Sequence, residues 1–135
     1  MPFGLIPMIT GIIVLSDDST QLFCTQVIYK LTNKIYNHNF PFSMMKKDSP
    51  SLYSQLSEAN ILIFKGDLNY RKLVGDLSWS TETTFLESLQ GFNPAPLVAL
   101  RTLKADVCVG LEDGQAEATA TLDENFMVNG KTLHL

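Results

Sequence analysis

A dense group of polar and charged side chains follows an apolar run at residues 61–64 of the sequence. It combines a carboxylate, an amide, a phenol and two cations within six residues: Asp67, Asn69, Tyr70, Arg71 and Lys72. These groups suit a small anion that is rich in oxygen, such as a phosphate ester, because arginine and lysine bind phosphate oxygens. From the spacing alone, a strand that ends in a solvated turn is an equally good interpretation, because charged junctions of this kind are common.

A second basic group, Arg101 and Lys104, follows another apolar run at residues 97–100. The chain has only two arginines, Arg71 and Arg101, and one lies in each group. Together with Lys65, the cations of these two short segments make up half of the ten lysines and arginines, although the chain is acidic, with a net charge of −4. Paired surface charges are the alternative, but the placement of both arginines favours a shared role in binding an anion.

The two apolar runs are typical of strands that are buried inside a parallel sheet. Gly66 allows the backbone to turn directly after the first run. The pattern predicts an α/β fold, as part of a three-layer α/β/α arrangement with a mostly parallel sheet. Because the carboxyl ends of parallel neighbours meet at one edge, both basic groups are expected to open onto one crevice.

Helices are predicted before both strands, which is the usual α/β alternation. Ser49 is the expected N-cap of the first helix, with Pro50 at its first position. Ser80 or Thr81 is the expected N-cap of the second helix, and Gly91 is expected to end it.

Four further segments can be interpreted from their patterns. Residues 20–36 have the apolar spacing of an amphipathic helix, and residues 107–111 could form a third strand. Residues 112–115 are predicted to turn. The apolar residues 1–15 are interrupted by proline and glycine, which favours an irregular or strand-like buried segment over a signal peptide or a membrane anchor.

Composition excludes several classes of partner. The net charge of −4 argues against nucleic acid or an anionic membrane. Cys24 and Cys108 are too few for a disulfide framework or a zinc site, and Cys108 is predicted to be a buried, inert thiol. These cysteines fit a reducing, cytoplasmic setting.

Two sequence motifs resemble those of a known family. The run Lys-Gly-Asp-Leu-Asn-Tyr-Arg-Lys-Leu at residues 65–73 and the run Arg-Thr-Leu-Lys at residues 101–104 resemble the damage-control phosphatases. The second run is similar to the Arg-Thr-x-Lys motif of subfamily III, also called the acidic residue methyltransferase family. The resemblance covers residues 39–131 and implies the C-terminal part of that domain at 37–135, after a non-matching segment at 1–36.

The resemblance implies a phosphatase that acts on sugar phosphates, such as fructose phosphates and related phosphometabolites, with Mn²⁺ or Ni²⁺. It also implies the substrate contacts: Asp67, Leu68, Asn69, Tyr70, Arg71 and Lys104. Among these, Arg71 and Lys104 are assigned to phosphate oxygens. Asp67 and Asn69 are assigned to sugar hydroxyls or to the shape of the loop that carries them. Two residues of the second motif are expected to order the site from behind the substrate contacts: Arg101 and Thr102.

No metal ligand or catalytic residue is assigned. The metal ligands of the family are an adjacent Asp-Asn pair and a later Asp, upstream of the first motif, and this chain has no Asp-Asn dipeptide. The remaining candidates show no paired ligand spacing: His38, Asp67, Asp76 and His134. Family chains are several times longer, so this chain is expected to be a fragment that shows little hydrolysis by itself.

Two other functions remain open at the level of sequence. One is an S-adenosylmethionine-dependent methyltransferase that acts on protein carboxylates, although no glycine-rich cofactor loop follows a strand here. The other is a non-catalytic remnant that binds phosphometabolites. A serine or cysteine nucleophile has no supporting motif.

Overall fold

A sheet flanked by short helices forms the framework of the protein. The computed structural model describes residues 12–16 and 40–134. The strands are β1 (Ile12–Ser16), β2 (Ile61–Lys65), β3 (Leu97–Thr102) and β4 (Leu133–His134). A 3₁₀ helix at Phe42–Met44 precedes the helices α1 (Met45–Asp48), α2 (Pro50–Ser57), α3 (Asp67–Leu73), α4 (Phe85–Ser88) and α5 (Gln115–Leu122).

The described strands form one sheet in the order β1-β2-β3-β4. Strand β2 pairs in parallel with both neighbours, with Ile12 opposite Ile61 and Leu62 opposite Leu97. Strand β4 pairs with β3 in the antiparallel sense. The predicted α/β fold with a mostly parallel sheet is therefore confirmed, whereas the three-layer arrangement stays a prediction.

The helix predicted before β2 is confirmed as α2. Pro50 occupies its first turn and Ser49 is the N-cap, although no side-chain hydrogen bond is made there. Leu52 and Leu56 are the buried positions of this helix, and their four-residue spacing places them on one face. The face packs into the core beside β2.

The caps predicted for the second helix are wrong. Helix α4 starts later, at Phe85, and its N-cap is Thr84, whose hydroxyl accepts a hydrogen bond from Glu87 N at 3.2 Å. The Ser80 hydroxyl instead accepts from the Glu82 amide within a turn. Residues with positive φ follow the helix at Gln90 and Gly91, so the end predicted near Gly91 lies two residues beyond the C-cap.

The polar residues after β2 form a helix and not the loop that the sequence suggested. Gly66 has a φ of 107° and a ψ of 157°, which only a residue without a Cβ adopts readily, and α3 begins directly after it. At the other end, the Asp76 amide donates to Arg71 O at 2.8 Å, and Gly75 and Asp76 both have positive φ. This six-to-one hydrogen bond is the Schellman ending of a helix.

The strand predicted at residues 107–111 is wrong, because its amides have mixed partners. Val109 N donates to the Tyr70 hydroxyl, while the next two amides donate to backbone carbonyls of residues 83 and 81. A hydroxyl partner interrupts any regular ladder. The turn predicted at residues 112–115 is followed by α5, which the sequence interpretation missed and which has no buried residue.

Three aromatic rings form the centre of the core. The ring centroid of Phe42 lies 5.5 Å from the centroid of Phe64 and 5.5 Å from that of Phe92. The centroids of Phe64 and Phe92 are 6.1 Å apart. A smaller buried cluster contains Leu103, Cys108 and Phe126. None of the helices in the described part of the chain has both the length and the apolar character needed to cross a membrane.

Two predictions concern residues at the start of the chain. The amphipathic helix predicted at residues 20–36 lies outside the described residues. The strand-like prediction for residues 1–15 can be compared with the structure only from residue 12 onward, where β1 is a strand. The segment boundary between residues 36 and 37 stays a prediction.

Candidate functional site

The two motifs meet at the carboxyl ends of β2 and β3. The Gly66 amide, just after β2, donates to Leu100 O of β3 at 2.9 Å. The next residues along the chain are Asp67 and Arg101, and Asp67 Oδ1 lies 3.2 Å from Arg101 Nε. The prediction that Asp67 and Arg101 share one edge of the sheet is therefore confirmed. This pair and the two residues assigned above to phosphate oxygens, Arg71 and Lys104, are called the polar corner below.

The guanidinium of Arg101 is enclosed on all sides. Its side chain is 0% exposed, and its two terminal nitrogens donate to the carbonyl oxygens of Ala105 and Val107. The plane of the group lies over the Tyr70 ring, with Cζ 4.1 Å from the ring centroid, a distance suited to a cation–π interaction. The third nitrogen, Nε, faces the carboxylate of Asp67, which balances the buried charge.

The contact between Asp67 and Arg101 is an ion pair without an aligned hydrogen bond. The two atoms are 3.2 Å apart, but the direction from Nε to Oδ1 does not meet hydrogen-bond geometry. Coulomb attraction depends on distance more than on direction, so the carboxylate still compensates the buried cation. Asp67 retains 20% exposure of its side chain, so one part of the carboxylate faces outward.

Tyr70 is a buried support of the corner. The residue is 2% exposed, and its hydroxyl accepts a hydrogen bond from Val109 N at 3.0 Å. Its ring also stacks on Phe85, with centroids 6.4 Å apart. Burial raises the pKa of Tyr70 to about 12, so the phenol stays neutral at physiological pH. In this conformation the hydroxyl oxygen accepts a hydrogen bond from the backbone.

Asn69 and Leu68 differ in burial, with Asn69 buried and Leu68 exposed. Asn69 is 8% exposed, and its side-chain amide donates to Lys65 O at 3.0 Å, which closes the junction between β2 and the helix. Leu68 is 42% exposed. Lys72, the last cation of the motif, places its ammonium 5.9 Å from the Phe42 ring centroid. The motif therefore contributes to the core as well as to the surface.

Arg71 is paired with Asp76 at the end of its own helix. Its Nε and Nη2 donate to the two carboxylate oxygens at 2.8 and 2.7 Å. The pair is solvent-accessible, with side-chain exposures of 40% and 50%. Hydrogen bonding to the partner raises the pKa of Arg71 and lowers the pKa of Asp76. The sequence interpretation considered Asp76 as a candidate metal ligand and did not foresee this pair.

Lys104 is the exposed cation of the second motif. It follows Leu103, whose amide donates to Thr132 O and whose carbonyl accepts from Gly130 N, both at 2.8 Å. A Cβ added at Gly130 would lie 3.6 Å from Lys104 Cε, which is an ordinary van der Waals contact, so the lysine stem lies close to the backbone there. Among the described residues, no ion pair or hydrogen bond engages the Lys104 ammonium. Thr102 lies in β3, opposite Leu133.

The structure thus divides the predicted site residues into three groups. The Arg101 guanidinium contacts both Asp67 and Tyr70 at the edge of the sheet, Arg71 pairs with Asp76, and Lys104 extends from the adjacent segment. Their assignment to a substrate stays a prediction. The carbonyls of Ala105 and Val107 were missed, because a backbone atom that binds a distant side chain leaves no signal in the sequence.

The described residues do not fit a metal centre. Across residues 40–134, no group of three or more His, Cys, Asp or Glu side chains is placed to hold a metal ion. The Asp67 carboxylate, which is the candidate metal ligand of the first motif, faces the Arg101 guanidinium. A cation of that charge opposes a second cation at the same carboxylate. We therefore derive no chemical step through a metal from these residues.

The sequence matches a known family model and several curated proteins. Residues 18–119 match the family described as "Damage-control phosphatase ARMT1-like domain". The chain is 53% identical over 90 residues to "Damage-control phosphatase ARMT1" of Danio rerio, which is 67% of this chain and 20% of that protein. It is 47% identical over 91 residues to the protein of that name from Rattus norvegicus, covering 67% and 21%. For the Homo sapiens protein the identity is 43% over 101 residues, covering 71% and 23%. The chain spans about a fifth of the length of these curated relatives.

Proposed function

Because the chain belongs to the ARMT1-like damage-control phosphatase family, we propose that its polar corner binds the phosphate of a phosphorylated sugar in a phosphatase reaction. The observation that carries the proposal is the exposed Lys104 ammonium beside a buried, charge-balanced pair. Since Asp67 and Arg101 compensate each other, the positive charge of Lys104 remains for an anion from solvent. A lysine ammonium binds phosphate oxygens through charge-assisted hydrogen bonds.

The other residues of the corner would divide the substrate between them. Arg71 uses the N–H of Nε and one N–H of Nη2 for Asp76, so the two N–H groups of Nη1 and the second N–H of Nη2 can reach a phosphate oxygen without breaking that pair. The outward part of the Asp67 carboxylate suits a sugar hydroxyl, which is a hydrogen-bond donor. A fructose phosphate carries both kinds of group. We keep Mn²⁺ or Ni²⁺ as the proposed metal of the reaction, without assigning its ligands.

Binding of fructose 1-phosphate to the purified protein, measured by calorimetry, tests the proposal. Lys104→Ala removes one charge-assisted hydrogen bond, worth about 1.5–3 kcal/mol, and should weaken binding about ten- to a hundred-fold. Lys47→Ala is the matched control, because Lys47 is an exposed lysine of α1 outside both motifs. It removes the same charge and should leave the affinity unchanged. Equal losses in both variants would show a nonspecific charge effect and would contradict the proposal.

Activity assays separate the alternative functions. Phosphate release from fructose 1-phosphate in the presence of Mn²⁺ or Ni²⁺ would support the phosphatase. Binding without release would favour a non-catalytic binding protein. Transfer of a labelled methyl group from S-adenosylmethionine to protein carboxylates, without phosphate release, would favour the methyltransferase. Each result leaves the binding measurement interpretable, because binding is determined independently of turnover.

A further inference from the structure

The segment that carries Lys104 is anchored at several points to the interior. Leu103 pairs through its backbone with residues 130 and 132. Ala105 and Val107 give their carbonyl oxygens to the Arg101 guanidinium, and Val109 donates its amide to the Tyr70 hydroxyl. Lys104 therefore lies between two fixed residues, although its own side chain faces solvent. The segment has no regular secondary structure, so these contacts replace a strand or helix ladder.

One guanidinium connects this segment to the first motif. The same Arg101 group that holds the carbonyls of the 105–107 turn also faces Asp67 and lies over the Tyr70 ring. Both of those residues belong to α3. The geometry needs three nitrogens in a rigid plane, with two donating to carbonyls and the third close to a carboxylate. A lysine has a single ammonium on a flexible stem and cannot span these positions at once.

We propose that Arg101 is a positioning residue for Lys104. Its guanidinium holds the 105–107 turn in the one conformation that keeps the Lys104 ammonium at the same edge of the sheet as Asp67. Arg101 does not touch the substrate, because its side chain is fully enclosed. The inference rests on the proposed phosphate site, and it adds that the two motifs act as one unit whose relative position a buried cation sets.

A general stabilising role is the competing explanation. Removing one partner of a buried ion pair destabilises many proteins without any specific effect on a binding site. The two explanations differ in how Arg101 and Lys104 couple. If Arg101 positions Lys104, then Lys104 contributes little to binding once Arg101 is replaced. If Arg101 only stabilises the fold, the contribution of Lys104 stays the same in every molecule that folds.

A double-mutant cycle on the affinity for fructose 1-phosphate measures that coupling. Lys104→Ala is compared in the wild-type background and in Arg101→Lys, which keeps the charge but loses the fork. We expect its ten- to hundred-fold effect to fall below about threefold in Arg101→Lys. The control background is Ser57→Ala, which removes an exposed hydrogen bond to Tyr53 O within α2, outside both motifs. There the Lys104 effect should remain complete. An undiminished Lys104 effect in folded Arg101→Lys overturns the inference.

Amide hydrogen exchange and a second variant keep the inference testable in all cases. If the wild-type protein does not bind fructose 1-phosphate, the proposed function fails, and amide hydrogen exchange then tests the positioning role by itself. Exchange at residues 103–109 should accelerate at least about tenfold in Arg101→Lys, while exchange at residues 61–65 changes little. Equal acceleration in both segments would overturn the inference.

If Arg101→Lys does not fold, Arg101→Gln replaces it in both experiments. That change keeps a planar donor group, but the shorter side chain carries one donor nitrogen in place of three. It should reduce the Lys104 effect on affinity and raise exchange at residues 103–109. An unchanged Lys104 effect, or unchanged exchange where there is no binding, would overturn the inference.

Discussion

Neighbouring residues of the first motif face different surroundings. Tyr70 is buried against Arg101 and holds the Val109 amide, whereas Arg71 is exposed and paired with Asp76. The helix explains this division, because successive side chains of a helix project about 100° apart. A polar residue in the motif is therefore not a surface residue by default. Tyr70 and Asn69 have structural partners in the described part of the chain, while Lys104 has an exposed ammonium.

The burial of Tyr70 predicts a loss of stability in alkali. Its pKa rises from 10.0 to about 12 because burial disfavours the phenolate, even beside the Arg101 cation. A raised pKa means that the folded state holds the proton more tightly. The contribution is complete below pH 10 and is lost as the pH rises toward 12. Two pKa units correspond to about 2–3 kcal/mol.

Urea unfolding at pH 8 and pH 11.5 measures this effect. Between these values the free energy of unfolding of the wild-type protein should fall by about 2 kcal/mol more than that of Tyr70→Phe, which keeps the ring and removes the titrating group. Contributions from the other tyrosines and the lysines cancel in the comparison. Equal losses in the two proteins would show that Tyr70 does not hold its proton more tightly in the folded state.

At the scale of elements, helix α3 is defined by a glycine at each end. Gly66 turns the chain out of β2, and Gly75 lies in the left-handed conformation of the Schellman ending, with a φ of 74°. The helix places Asp67 at its start beside Arg101 and Arg71 near its end beside Asp76. The length of α3 therefore sets the separation between the Asp67–Arg101 contact and the Arg71–Asp76 contact.

Gly75→Ala is expected to destabilise the protein by about 1–2 kcal/mol, because an L-residue is strained in the left-handed conformation. The new Cβ would also lie 2.8 Å from Gln90 Nε2, so that side chain must move. Gly91→Ala provides the control, since its φ is 89° and no heavy atom lies within 4 Å of the added Cβ. The excess loss in Gly75→Ala over Gly91→Ala in urea unfolding reports the contact with Gln90. A stabilising effect at Gly75 would contradict the assigned helix ending.

At the scale of the whole molecule, one aromatic cluster connects the sheet with segments outside it. Phe42 comes from the 3₁₀ helix, Phe64 from the central strand and Phe92 from the connection into β3. These segments are far apart in the sequence, so their contact depends on the complete arrangement of sheet and helices. The Asp67–Arg101 contact of the polar corner lies at the carboxyl ends of β2 and β3, so its geometry depends on this core.

Phe92→Ala should therefore lower the free energy of unfolding by about 3–5 kcal/mol, through lost burial and the cavity left behind. Phe92 is 1% exposed and contacts both other rings of the cluster. Leu122→Ala is the control, because Leu122 is 89% exposed and should change stability by less than about 0.5 kcal/mol. Chemical denaturation followed by circular dichroism measures both. Similar values for the two variants would mean that the aromatic cluster is not the centre of the core.

The features that the sequence determined by itself are those encoded in contiguous residues. The apolar runs predicted β2 and β3, proline after serine predicted the start of α2, and the order of the motifs predicted that Asp67 and Arg101 share one edge. The same local reasoning failed where several signals compete. Serine and threonine recur at residues 80–84, and only the structure shows that the hydroxyl of residue 84 reaches the amide three positions later.

Tertiary structure alone decided which polar groups have partners inside the protein. The Tyr70 hydroxyl binds an amide 39 residues away, and the Arg101 guanidinium binds two backbone carbonyls, which every residue type carries. Outside a local helix cap, no pattern of residue types encodes a partner that is a backbone atom. The strand predicted at residues 107–111 failed for the same reason, because its amides bind a side chain and a distant turn. The sequence therefore supplied the charges of the corner, and the fold determined which of them face solvent.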